Sequence, residues 1–296
     1  MTKICIIGSG AVGVTLAASA VENNCQVLLY GRSDGIATFL GPKIRIFRVY
    51  APSSMPTLCD YIIVAVKYHD TLSAIEPIEL GILKSDIIVV VQNGLGGLEA
   101  VKGRLEESQA SGNIIIAAGV VDFGATRVEH FVRLAGIGSI TMGCKGVDCR
   151  WSLENLASCL ESSWLSVKLV EDIEPYRRLK LAVNAAINSL TPIFKGPNGV
   201  ILESNELLGL ARSITSKAAR ALGVSVVEAL NLLEDTLRRT ARNISSTLQD
   251  LLACRRTEID AILGPIMDEV IEAKILYRIL KALEELRLKE CSGERV

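Results

Sequence analysis

Two kinds of apolar pattern divide the chain. In the first half, short Val- and Ile-rich blocks recur: KICIIG, QVLLYG, YIIVAVK, DIIVVVQNG and NIIIAAGVV. Continuous β-branched runs bounded by turn residues predict strands covered on both faces. Between them AVGVTLAASAVENN, HDTLSAIEPI and GLEAVKGRLEE carry helical spacing. Strands alternating with helices predict a parallel, doubly wound sheet of the α/β class. Residues 125–142 are glycine-punctuated and mixed, which predicts a few antiparallel strands. WSLENLASCLESS then reads as a helix and LSVKLV as a last strand. Beyond residue 174 the period lengthens to that of helices, over residues 175–190, 207–222, 226–244 and 258–288. The expected organisation is a doubly wound domain over residues 1–172 and an all-α domain over residues 173–296, with the boundary near 170–175.

One helical segment has an unusual polar pattern. In RRLKLAVNAAINSLTP, Lys180, Asn184 and Asn188 recur every fourth residue among apolar neighbours. Four residues advance a helix by about 400°, so the three form one stripe. A solvent-facing helix would show a wide polar side instead. A lysine on an apolar helix must reach water or find partners. Beside a cofactor, burial can lower its pKa from about 10.4 toward 7–8, where it serves as a general acid. Amides can orient a substrate as donors and acceptors. The structural alternative is that Lys180 snorkels and the amides bond neighbouring helices.

A glycine pattern supplies a reason for a cofactor. Gly8, Ser9, Gly10, Ala11, Val12 and Gly13 follow a predicted strand and open a predicted helix. In that setting G-x-G-x-x-G marks the Rossmann dinucleotide loop: a tight turn, backbone approach to the pyrophosphate, and close helix packing. The helix N-terminus offers free N–H groups to phosphate. NAD sites carry an acid at the end of the second strand, whereas this chain has Leu29-Tyr30-Gly31-Arg32-Ser33. Arg32 suits a ribose 2′-phosphate and favours NADPH. Asp34 lies further along than a ribose ligand is expected. Two other strands end at Lys67 and at Gln92-Asn93-Gly94. Strand ends face the ligand crevice of such sheets, which makes Lys67 and Asn93 candidates. The alternatives are a loop lysine and an Asn-Gly turn.

Composition narrows the function classes. The chain of 296 residues is 49% hydrophobic, 4% aromatic and carries a formal net charge of −1. That excludes disorder and disfavours nucleic acid or an anionic membrane as partner. Lys3 and the uncharged stretch after it imitate a secretion signal, but the three glycines favour strand, turn and helix. The eight cysteines form no C-x-x-C pair, and His69 and His130 are the only histidines, so no metal site is expected. The cysteines read as mostly reduced core residues of a cytoplasmic protein, with one pairing left open.

In the second half, PNG at 197–199 reads as a turn, Ser246-x-x-Gln249 as a capping box, and Glu258 as a helix-start carboxylate. In order along the chain, however, GSGAVG, VK at 66–67, QNG at 92–94, KLAVNAAINSLT at 180–191, PNG, SSTLQD at 245–250 and RTEID at 256–260 resemble ketopantoate reductase (2-dehydropantoate 2-reductase) over nearly the whole length. The resemblance implies a Rossmann domain, a helical domain, and an active site between them. It implies NADPH-dependent reduction of 2-dehydropantoate to (R)-pantoate, in pantothenate and coenzyme A synthesis. It places the family's catalytic lysine on Lys180 and its active-site glutamate on Glu258. Its substrate-binding residues fall on Asn93, Asn184, Asn188, Asn198 and Ser246. Its cofactor lysine falls on Lys67, and Asn93 lies beside the nicotinamide. Many relatives carry glutamine where this chain has Asp70, which keeps NADH as the alternative cofactor. Helical domains of this kind often pair, so a homodimer is expected. Two rival readings remain: another two-domain 2-keto or 3-hydroxy acid dehydrogenase, and an NADP(H)-binding redox sensor without turnover.

Overall fold

The Val/Ile blocks of the first half lie side by side in one sheet in the computed structural model, which describes residues 1–52, 57–108 and 114–293. The chain forms two compact units: Met1–Gln92 with Gly96–Glu174, and Asn93–Leu95 with Pro175–Val296. The first unit contains strands β1 (Lys3–Ile7), β2 (Gln26–Tyr30), β3 (Gly35–Leu40), β4 (Arg45–Tyr50), β5 (Thr57–Leu58), β6 (Tyr61–Val64), β7 (Leu83–Lys84), β8 (Ile87–Val90), β9 (Ile115–Asp122), β10 (Ala125–Val128), β11 (Phe131–Leu134), β12 (Gly138–Cys144) and β13 (Leu165–Asp172). Its helices are α1 (Ala11–Glu22), α2 (Thr71–Glu79), α3 (Gly97–Glu107) and α4 (Arg150–Leu160).

The sheet order is β10-β11-β3-β4-β2-β1-β6-β8-β9-β12-β13. Its centre, β4-β2-β1-β6-β8-β9, is parallel throughout. This is the Rossmann order, and its direction reverses between β1 and β6, where such sheets bind ligands. Val14, Leu16, Ala17, Ala18 and Ala20 of α1 are fully buried in the core of this unit. The stretch that imitated a secretion signal is therefore strand, turn and helix.

The flanks depart from a purely parallel plan. β10 and β11 form an antiparallel hairpin within the stretch whose glycines suggested antiparallel strands, and β12 at its end pairs antiparallel with β9, which lies before it. The hairpin of β3 and β4 had no counterpart in the apolar pattern. In β4 Phe47 and Val49 are buried while Ile46 and Arg48 are exposed, so the strand lacks the unbroken run that marks two-sided burial.

The second unit contains α5 (Glu174–Phe194), α6 (Asn205–Ala221), α7 (Val226–Arg239), α8 (Ser246–Leu252), α9 (Ile259–Leu263) and α10 (Ile271–Ser292). Leu181, Ala185, Ile187 and Leu190 of α5 share its core with Ile214 of α6, Leu233 of α7 and Leu280 of α10. No helix among the described residues is long and apolar enough to cross a membrane.

The cysteines correct the expectation of reduced thiols. All eight are paired: Cys5 with Cys59, Cys25 with Cys159, Cys144 with Cys149, and Cys254 with Cys291. Their Cα atoms are 5.8–6.2 Å apart, the spacing a disulfide requires. Three pairs span 37, 54 and 134 residues, and chain folding rather than any motif brings them together.

Candidate active site

The nucleotide half is built where β1 runs into α1. Gly8 has φ +121°, and a Cβ there would lie 2.4 Å from the carbonyl oxygen of Ala65. A Cβ on Gly13 would lie 1.9 Å from the Gly8 carbonyl oxygen. Both positions therefore exclude any side chain. A Cβ on Gly10 would meet nothing within 4 Å, so the surface above the helix start is open. Gly10 is the helix cap and offers no side-chain partner to the first amides, carried by Ala11 and Val12. A helix N-terminus with no side-chain cap and open space above Gly10 fits a pyrophosphate.

The residues expected to surround a dinucleotide fall on neighbouring turns. Ser9 Oγ lies 3.0 Å from where a Gly31 Cβ would stand, at the end of β2. Arg32 follows and is exposed. Asp34 accepts from the Ala51 amide at 2.9 Å, so this acid ties together the open end of the β3–β4 hairpin. Lys67 is half-buried after β6 and precedes a single 3-10 turn, Tyr68–Asp70. Asp70 Oδ2 lies 3.7 Å from His69 Nε2. Gln92 Nε2 donates to the Val66 carbonyl at 2.9 Å and to Thr71 Oγ1 at 2.7 Å. That amide ties the β8 end to the backbone just before Lys67.

One neighbour of the loop carries no sequence signal. Arg127 of β10 donates from Nη1 to the Ser9 carbonyl at 2.5 Å and lies 3.5 Å from Ser9 Oγ. It lies 118 residues from Ser9, and nothing in ATRV distinguishes it from any strand arginine.

The helical unit carries the polar stripe of α5. From residue 181 to 191 every residue is buried except Asn184, which like Lys180 is half-buried. Asn188 is 5% exposed and donates from Nδ2 to Ser246 Oγ at 3.2 Å. The stripe thus meets the serine pair. The capping-box reading of Ser246 is corrected here: the cap of α8 is Ser245, whose Oγ accepts from the Leu248 amide at 3.3 Å. Ser245 also shares a 2.6 Å hydrogen bond with Thr191 Oγ1. Gln249 donates to the Ile244 carbonyl at 2.8 Å rather than closing a box on Ser246. Ser246 begins the helix and is half-buried.

Asn198 is 7% exposed and more than a turn residue. Thr240 Oγ1 donates to the Thr236 carbonyl at 2.6 Å and so must accept from Asn198 Nδ2 at 2.8 Å. That orientation fixes Asn198 Oδ1 as a buried acceptor that has no donor among the described residues. A buried polar atom in that state costs about 1–3 kcal/mol unless something donates to it.

Two further segments complete this half. Gly94 has φ +83°, and a Cβ there would lie 2.4 Å from the Ala261 carbonyl oxygen. The Leu95 amide donates to that same oxygen at 3.0 Å. Glycine at 94 lets half-buried Asn93 and its neighbours lie against α9. Glu258 caps α9 with its carbonyl, accepting from the Ala261 and Ile262 amides, and its residue is 7% exposed.

Behind Glu258 lies a polar network that the sequence did not disclose. Glu284 Oε2 accepts from the amide and hydroxyl of Thr257, each at 2.6 Å, and Oε1 accepts from Lys281 at 3.1 Å. Asp260 accepts from Tyr277 Oη at 2.7 Å and from Lys281 at 3.2 Å. Burial pushes the Glu284 carboxyl up, but the donors from Thr257 and Lys281 outweigh it and hold it below its ordinary value. The hydrogen bond to Asp260, with burial, pushes the Tyr277 phenol up. The only warning in the sequence was the RTEID wording around Glu258.

Comparison with known proteins gives a consistent result. The model for Ketopantoate reductase PanE/ApbA matches residues 4–146, and the model for its C-terminal domain matches residues 172–286. The chain is 38% identical over 279 residues to 2-dehydropantoate 2-reductase of Pyrobaculum aerophilum, covering 90% of this chain and 85% of that relative. A dimeric ketopantoate reductase from Staphylococcus aureus superposes with a TM-score of 0.79 at 22% identity, covering 96% and 99% of the two chains. D-mandelate dehydrogenase, solved with NADH and anilino(oxo)acetate, superposes with a TM-score of 0.84 at 20% identity, covering 97% and 99%. At these identities the two structures speak for the fold alone.

Proposed function

The chain belongs to the ketopantoate reductase family, and we propose on that premise that it reduces 2-dehydropantoate to (R)-pantoate with NADPH. The family makes it an oxidoreductase that uses a nicotinamide cofactor. The choice of NADPH rests on Arg32 at the end of β2, on the absence of an acid there, and on Asp34 being committed to the Ala51 amide. Asp70, an acid three residues after Lys67 that would oppose an anionic cofactor, is the feature that favours NADH as the alternative.

Two observations in the helical unit support the substrate reading: the α5 stripe is bonded to Ser246, and Asn198 carries a buried acceptor with no donor among the described residues. A hydroxy-keto acid offers both groups this set lacks. Its hydroxyl donates to an amide oxygen, and its carboxylate accepts from Ser246 Oγ. In this assignment Asn184, Asn188 and Asn198 orient the hydroxyl end, while Ser246 and Asn93 hold the carboxylate. Lys180 carries a proton on Nζ and delivers it to the C2 carbonyl oxygen as negative charge develops there. Glu258 holds Lys180 in place. Gly8, Ser9, Gly10, Ala11, Val12 and Gly13 seat the pyrophosphate, and Lys67 and Arg32 supply positive charge. The nicotinamide, when bound, supplies the hydride to the C2 carbon.

The Rossmann-type unit is assigned to the cofactor and the helical unit to the substrate, with the functional boundary near residues 170–175. A homodimer and a cytoplasmic location complete the proposal. Light scattering of the purified chain tests the first, and fractionation of its source cells the second. The activity is tested by following the absorbance of NADPH with 2-dehydropantoate and with a panel of other 2-keto acids. Turnover of 2-dehydropantoate at least about tenfold more efficient than of any other acid supports the reading. Cofactor binding with no turnover would instead make the chain a redox sensor.

A further inference from the structure

We infer that Arg127, together with Arg32, recognises the 2′-phosphate of the cofactor, so that the hairpin of β10 and β11 takes part in choosing NADPH over NADH. The inference rests on the NADPH reading above and adds a residue to it from a distant part of the chain. Its basis is the position of one guanidinium. Arg127 Nη1 donates to the Ser9 carbonyl at 2.5 Å and lies 3.5 Å from Ser9 Oγ. Ser9 Oγ in turn lies 3.0 Å from where a Gly31 Cβ would stand, immediately before Arg32. Ser9 is the first variable residue of the dinucleotide loop, and Gly31 follows the second strand. Those two places flank the adenosine ribose in folds of this type.

The guanidinium is held at both ends. Nε donates to the Glu129 carbonyl at 2.7 Å, while Nη1 reaches the loop. The hairpin itself is anchored: the His130 carbonyl accepts from the Thr38 amide at 2.7 Å, and β11 runs parallel to β3. A neutral donor would suffice to hold a carbonyl. An arginine adds a fixed positive charge and a planar fork matched to phosphate, already oriented before the ligand arrives. The neighbouring acid, Asp34, is turned to the Ala51 amide at 2.9 Å.

The test is the dissociation constant of NADP⁺ and of NAD⁺, measured by titration calorimetry for wild type, Arg127→Ala, Arg127→Lys and Arg32→Ala. Circular dichroism melts accompany each variant. Arg127→Ala is expected to weaken NADP⁺ by about tenfold or more and NAD⁺ by less than about twofold, given the strength of charge-assisted hydrogen bonds. Arg127→Lys, which keeps the charge and loses the fork, falls between and keeps the proposal testable should the alanine variant fold poorly. Equal weakening of both dinucleotides would show that Arg127 only braces the loop, and an unchanged preference would show that it does neither; each overturns the inference. A wild type that prefers NADP⁺, with both dinucleotides lost equally in Arg127→Ala, leaves the NADPH reading standing without Arg127. A wild type with no preference removes both.

Discussion

Lys180 stands half-buried on the apolar helix α5, and Asn188 on the same stripe bonds Ser246. If Lys180 is the general acid, Lys180→Ala should lower kcat by about 10²–10⁴-fold, the usual worth of such a group. The NADP⁺ dissociation constant should change by less than about threefold, as read by single-turnover kinetics and calorimetry. The serine pair gives a sharper contrast. Ser245 caps α8 and Ser246 does not. Ser245→Ala should therefore cost about 0.5–2 kcal/mol of stability with little change in substrate KM. Ser246→Ala should raise KM for 2-dehydropantoate by about tenfold, and its loss of stability should come from the buried Asn188 amide left without an acceptor rather than from a lost cap. Spacing alone was enough to place Lys180, Asn184 and Asn188 on one face. It could not tell which of two adjacent serines faces the helix amides, because that depends on where the helix starts. Arg127 was beyond reach for a different reason: its neighbour Ser9 is 118 residues away, and no local pattern reports such a contact.

At the scale of elements, glycine decides where segments can touch. Gly94→Ala would set a Cβ against the Ala261 carbonyl oxygen at a positive φ. The expected cost is about 1–3 kcal/mol from backbone strain alone, with a fall in kcat because Asn93 is displaced. Denaturant melts and steady-state rates check both. Glu284 offers a pH test of the turn that carries Glu258. Its carboxyl lies below the ordinary value of 4.5, so it contributes stability above that pH and loses it as pH falls through the folded value. Urea midpoints between pH 3 and 7 should fall less steeply on the acid side for Glu284→Gln than for wild type. Equal slopes would remove Glu284 from the acid-labile set. The central strands and α1 were legible because Val/Ile runs and the glycine loop are local signals. β3 and β4 were not, because β3 is buried over only three residues and β4 alternates buried with exposed, so neither gives a long apolar run. The Thr257–Glu284 pair joins α10 to the RTEID turn across 27 residues, which only the fold reveals.

For the whole molecule, the cysteines changed the picture most. Disulfides persist in oxidising compartments and also within the cells of hyperthermophiles, so their presence does not decide the location. Each typically contributes about 2–4 kcal/mol, more for longer loops. Reduction should therefore lower the melting temperature by more than about 10 °C, with the Cys25→Ser and Cys159→Ser variants accounting for part of it. Calorimetry with and without reductant checks this. None of the four pairs falls on a residue assigned to the active site, so kcat at 25 °C should survive reduction. The two-part plan was readable from the change in apolar period after residue 174, whereas the pairing of thiols that are far apart in sequence was not. The roles assigned to the active-site residues depend on one reaction. The direct measurement is the initial rate of NADPH oxidation by the purified chain with 2-dehydropantoate, with chiral analysis of the product. The account predicts saturable turnover that yields (R)-pantoate. NADPH bound but not oxidised, or efficient turnover only with a different 2-keto acid, would contradict it.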